Sequence, residues 1–204
     1  MARPYRNISD AGVSHVMLRG VDGRSISREA ADYDRFLSDL TEVRKRFGFK
    51  LLGYCLMGNH VHLLIQDGSG SLADICALLS LRYTNWFNRK YDCCGYLFQD
   101  QFKGEAVETD AYLLTVLIYL FQNPVKAGLC ELPQDYVWSS RRMLGMSEIV
   151  DETALFSIVP LELILARELR EIRAGWRRQA SAADDGQIFL MNDTIYGTIY
   201  KQVV

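Results

Sequence analysis

The sequence predicts an α+β fold in which a ferredoxin-like antiparallel sheet is covered by helices, followed by a C-terminal helical extension. Three observations predict it. Apolar residues switch between a period of two and a period near 3.6, the marked segments alternate as strand, helix, hairpin, helix, strand and helix, and turn-forming residues separate them. Residues 13–19 ("VSHVMLR") read as a strand and "GVDGRS" as the turn that follows. From 28 to 47, Phe36, Leu40, Val43 and Phe47 recur at helical spacing, and Gly48 supplies the stop. Residues 50–57 and 60–66 read as two strands separated by Gly58 and Asn59, a tight hairpin signal. Ser71 and Asp74 have the form of a capping box, opening a helix to about residue 91 with Leu72, Ile75, Leu79 and Trp86 on its inner face. A strand at 103–108 follows, and Asp110 is placed to cap a helix through Phe121.

These elements make residues 1–141 one domain. Beyond Arg142 the composition changes, and residues 142–204 read as the extension. An amphipathic helix near 161–178 there carries Arg167, Arg170, Arg173, Arg177 and Arg178 among glutamates, and "QIFLMNDTIYGTIY" predicts a terminal hairpin.

A chain of 204 residues is long enough to bury a proper core. Its 23 Lys and Arg against 25 Asp and Glu leave a net charge of −2 and a pI near 5.9, so a nucleic-acid partner must be held by a local basic patch, not a global field. Five cysteines (Cys55, Cys76, Cys93, Cys94, Cys130), with no Cys-x-x-Cys pair, argue against a disulfide framework or a thiolate zinc site. "MARPYRNISD" lacks the apolar core of a signal peptide, and the apolar run at 111–121 is too short to span a bilayer. The expectation is a soluble, cytoplasmic protein with no membrane partner.

The second hairpin strand contains the first chemical signal. A strand turns successive side chains to opposite faces, so His60 and His62 share one face about 6–7 Å apart while Val61 points away. Two such imidazoles can converge on one ion, or simply be half-exposed polar residues of an amphipathic strand. His15 reads as a neighbour of such a site or, more simply, as a satisfied sheet histidine.

The helix "AYLLTVLIYLFQN" contains the second. Its polar residues Tyr112, Thr115, Tyr119, Gln122 and Asn123 fall three and four apart and stack on one face. Such a stripe is either the helix's solvent side or a site, and it carries no Lys, Arg, Asp or Glu. Tyr119 and Asn123, one turn apart, offer a nucleophile and a neutral oxygen ligand. Because the residue before a proline avoids the α region, Asn123 is expected at a frayed helix end.

The segments "YCLMGNHVHLLI", "RYTNWFNRKY", "GYLFQDQFK", "YLFQNPVKAGL" and "DYVWSS" together resemble the successive motifs of the REP-associated tyrosine transposases. These belong to a wider superfamily of single-tyrosine transposases and nickases marked by a His-hydrophobic-His motif. The opening "SHVMLRG" fits the same pattern, so the resemblance covers residues 1 to about 141. It implies that His60 and His62 are metal ligands, that Tyr119 is the nucleophile and that Asn123 is the third ligand. It further implies Mg2+ or Mn2+ as cofactor and single-stranded, hairpin-forming DNA as partner. The implied reaction leaves a covalent 5′-phosphotyrosine and a free 3′-hydroxyl, and relatives act as monomers or homodimers.

Two departures from the family stand out. Gly58 replaces a proline usual before Asn-His, and Asp100 and Gln101 stand where a glycine and an arginine are common, trading a cation for an anion on the expected DNA path. Arg82, Trp86, Arg89 and Lys90, interleaved on one helix, suit contact with a single strand, and Arg19, Lys103 and Lys126 complete the expected DNA-binding set. Tyr83 on that same helix is the rival nucleophile. The functional expectation is a metal-dependent DNA nickase and strand transferase. Its alternatives are a domesticated, non-cleaving DNA-hairpin-binding or regulatory protein, favoured by the acidic balance, and a hydrolase of small phosphoesters using only the histidine pair.

Overall fold

In the computed structural model, which describes residues 12–99 and 102–182, the chain begins β1 (Val13–Arg19), α1 (Ala30–Phe47), β2 (Lys50–Leu56), β3 (His60–Gln66), α2 (Leu72–Tyr91) and β4 (Lys103–Ala106). This is the βαββαβ order, and the antiparallel strands lie in the order β2-β3-β1-β4, the ferredoxin-like arrangement expected. Then come α3 (Asp110–Lys126), α4 (Glu152–Ile158) and α5 (Leu161–Ala182). Residues up to Ile164 form one compact unit, which runs past Arg142, and those from Leu165 a second. In the second, Arg167 and Glu171 pair at 3.4 Å. The expected terminal hairpin lies outside the described residues, as do Asp100 and Gln101.

Register sorts the sheet into two faces. Leu18 opposes Val61 and Val16 opposes Leu63, and Tyr54 and Leu56 join them from β2. All six are buried, and α1 and α2, packed together through an edge-on contact of Phe36 with Tyr83, provide the cover on that side. The second face carries Arg19 opposite His60, Met17 opposite His62, and His15 between Leu64 and Glu105. Here α3 lies over β2. A Cβ at Gly53 would come within 2.9 Å of Leu117 Cδ1, so the glycine is what lets the helix approach the strand.

The free edge of β2 is covered by later chain. Leu56 N donates to Trp138 O at 2.9 Å, Tyr54 N to Ser140 Oγ at 3.0 Å and Leu51 N to Asp151 Oδ2 at 3.0 Å. The "DYVWSS" motif is thus an edge cap, and Trp138 stacks on Tyr33 at 4.6 Å.

Three helix termini differ from expectation. Ser71 makes no capping bond; the capping box is instead at α1, between Glu29 and Asp32. The N-cap of α3 is Thr109, whose Oγ1 accepts from Tyr112 N at 3.1 Å, with Asp110 the first helical residue. That helix continues through Pro124, so Asn123 lies within it and not at a frayed end. Proline's fixed φ is helical, and Pro124 and the neighbouring Phe121 are buried there.

Candidate active site

Strand β3 brings His60 and His62 onto the open face with ring centroids 4.9 Å apart and planes nearly perpendicular. Each ring is held through Nδ1. Asn59 Nδ2 donates to Gly23 O at 3.3 Å, which turns its Oδ1 toward His60 Nδ1 at 2.6 Å; His60 must therefore donate there, leaving Nε2 bare. His62 Nδ1 lies 2.9 Å from His15 Nε2, and the two rings stack at 5.1 Å. The satisfied sheet histidine is thus a direct neighbour of the pair. His62 is 2 % exposed, and its Nε2 is buried without a hydrogen-bond partner among the described residues.

Burial, reinforced by the charges of His15 and His60, depresses the His62 pKa to about 3. Burial and then the Arg19 guanidinium lower that of His60, and burial lowers that of His15 against the pull of Glu105. All three rings are neutral at neutral pH, the form that ligates a cation. An orphaned, buried Nε2 beside a second bare Nε2 fits a divalent ion. No three His, Cys, Asp or Glu side chains among the described residues converge to hold one, so a third protein ligand would have to be of another type.

Helix α3 delivers the phenol. Tyr119, 43 % exposed, sits edge-on to His62 at 5.6 Å and to His15 at 6.3 Å between centroids. Lys126 Nζ lies 5.3 Å from the centre of its ring. Asn123 donates its Nδ2 to Tyr119 O at 3.0 Å, one turn back, leaving Oδ1 as an acceptor. Thr115 bonds within the helix, to Ala111 O, and Tyr112 OH donates to Glu105 Oε1. Gln122, expected in the same polar stripe, is buried instead.

The expected DNA-binding residues divide into two groups. Arg19 and Lys103 project from the histidine face of the sheet, and Lys126 lies by the phenol. Arg82, Trp86, Arg89 and Lys90 are on α2, which covers the other face. Arg82 Nε pairs with buried Asp39 at 3.0 Å, Lys90 Nζ with Glu29 and Asp32 at 2.5 Å each, and Arg89 Nε donates to Asn85 O. Trp86 lies under Lys90 and Arg35. Tyr83 is fully buried, its hydroxyl donating to Ile26 O at 2.7 Å, which removes it as a nucleophile.

Sequence reading raises His15 as a site neighbour but prefers a purely structural role for it, and it misses Asn59. Asn59 adjoins His60 in the chain, but His15 is 47 residues from its partner, and only strand register joins them.

Residues 12–123 match the family described as "Transposase IS200 like". A Haemophilus influenzae protein named "Putative REP-associated tyrosine transposase" is 28% identical over 134 residues, which cover 59% of this chain and 76% of that one. The solved structure of a REP-associated tyrosine transposase bound to a REP hairpin is similar in fold, with a TM-score of 0.60 at 15% identity, covering 74% of this chain and 90% of that one.

Proposed function

The chain belongs to the IS200-like transposase family, and on that premise we propose that it nicks and rejoins single-stranded, hairpin-forming DNA through a covalent 5′-phosphotyrosine on Tyr119. One observation carries the reading: a half-exposed phenol stands edge-on to His62, whose buried Nε2 has no partner among the described residues. The residues that would hold the cation are His60 and His62 through Nε2 and Asn123 through Oδ1. A bound Mg2+ or Mn2+ would supply positive charge at the non-bridging phosphate oxygens.

In the forward step the Tyr119 oxygen attacks phosphorus, the O–P bond to tyrosine forms and the bond to the 3′-oxygen breaks. The phenolic proton balances the released 3′-hydroxyl. Another 3′-hydroxyl reverses the step on a new end, so the bond energy is retained rather than lost to water. The Lys126 ammonium beside the ring is placed to meet the negative charge of the incoming phosphate. Arg19 and Lys103, on the same face as the histidines, are placed to take the flanking phosphates.

The test is to incubate the protein with hairpin-forming single-stranded DNA and Mn2+, denature, and look for a protein–DNA adduct. The adduct is expected from the natural sequence and from Tyr83→Phe, and not from Tyr119→Phe. An adduct that persists in Tyr119→Phe overturns the assignment. The second reading, a non-cleaving hairpin binder, is favoured by the acidic balance. It predicts hairpin binding with no adduct from any variant.

A further inference from the structure

His60 and His62 differ in how their protons are assigned. Asn59 can only accept from His60 Nδ1, so that ring's tautomer is fixed. The partner of His62 Nδ1 is another imidazole nitrogen, His15 Nε2, and the single proton between them belongs to either ring. If His15 donates, the remaining proton of neutral His62 sits on Nε2, a buried N–H with no acceptor among the described residues. If His62 donates, its Nε2 is a bare lone pair facing the site, and His15 carries its own proton on Nδ1.

The surroundings of His62 select the second arrangement, because the first would bury an Nε2–H that has no acceptor among the described residues. Glu105 is the direct cross-strand partner of His15 on β4. Glu105 is itself held by the Tyr112 hydroxyl, from the first turns of the helix that carries Tyr119. We infer that His15 is a positioning residue which accepts the Nδ1 proton of His62 and so keeps His62 Nε2 free for the cation. This deepens the proposed reading and rests on it for the identity of the ion. The proton arrangement does not depend on DNA or on chemistry. His15, rather than any group in the His-x-His motif, thereby sets whether the second histidine is able to bind metal.

The imidazole tautomers of the metal-free protein, read by long-range proton–nitrogen correlation at pH 8, test this. In the natural sequence His62 is expected as the Nδ1–H form. In His15→Phe it is expected to convert to the Nε2–H form that free imidazole side chains prefer, and Mn2+ affinity measured without DNA is expected to fall about 10- to 100-fold. In His15→Gln, whose side-chain carbonyl is able to accept the same proton, the Nδ1–H form and most of the affinity are expected to return. That rescue separates positioning from packing. An Nε2–H His62 in the natural sequence, or an unchanged tautomer and affinity in His15→Phe, overturns the inference. Expected tautomers and affinities without a Tyr119 adduct would overturn the transposition reading and leave the role of His15 standing.

Discussion

Two helical tyrosines have opposite fates at the scale of single residues, because one helix buries its phenol and the other presents it. Tyr83 spends its hydroxyl on Ile26 O inside the core, and burial drives its pKa well above the usual phenol range. Tyr119 meets solvent and two imidazoles. Tyr83→Phe is therefore expected to leave adduct formation intact and to cost about 1–2 kcal/mol in denaturant unfolding, from one unsatisfied buried carbonyl. Loss of the adduct in that variant would contradict the assignment. Gly58, where the family has proline, offers a gain. Its φ lies outside the left-handed region and a Cβ there meets nothing closer than 3.8 Å. Gly58→Ala is expected to raise stability by about 0.4–1 kcal/mol through the unfolded chain, and a lower melting temperature would refute this. Neither fate was legible locally: alternation and helical spacing tell which face a residue shares, not what covers that face.

The decisive contacts between elements are a cap and a close approach. Asp32 accepts from Arg28 N, Glu29 N, Lys90 Nζ and Tyr91 OH at the start of α1. Burial alone would raise its pKa, but the bonds from Lys90, Arg28, Tyr91 and Glu29 outweigh it and hold the carboxyl below its usual value of 3.8. A carboxyl depressed in the folded state contributes stability that is fully present above about pH 4 and lost as pH falls through the folded value. Asp32→Ala is expected to cost about 2–3 kcal/mol at pH 7, and the difference from the natural sequence is expected to shrink in acid; a gap independent of pH would show that the charge is not what matters. At Gly53 the added methyl of Gly53→Ala meets buried Leu117, and overpacking of about 1–3 kcal/mol is expected. Because α3 also carries Tyr119, the same variant is expected to slow adduct formation even where the protein stays folded. Normal rates would mean that the helix position is not critical. The sequence showed that α3 exists, from its period, but not that it runs past Pro124, since a local proline rule yields to the burial of the residues around it.

Charge is distributed over the whole molecule so that the acidic total conceals a local bias. The α2 cations Arg82 and Lys90 are committed to carboxylates, whereas Arg19 and Lys103 stand on the face that holds the histidines. Hairpin-DNA affinity is expected to fall with salt, and the slope is expected to flatten by about one counterion's worth for Arg19→Ala or Lys103→Ala. Arg82→Ala and Lys90→Ala are expected to leave the slope unchanged and to lower stability. A salt slope sensitive to the α2 changes instead would move the DNA path to the other side of the sheet. Among the described residues no helix is long and apolar enough to cross a membrane.

The sequence by itself determined the element order, the antiparallel sheet and the shared face of His60 and His62, because strand and helix periods are local and each side chain's direction follows from its neighbours in the chain. Tertiary structure decided what lies across from those directions: that His15 meets His62, that α3 swings Tyr119 over the pair, that the α2 cations are already paired and that Tyr83 is sealed in the core. Such meetings join residues dozens of positions apart. They are fixed by strand register and by how closely one helix approaches one glycine, neither of which is written in the spacing of any single segment.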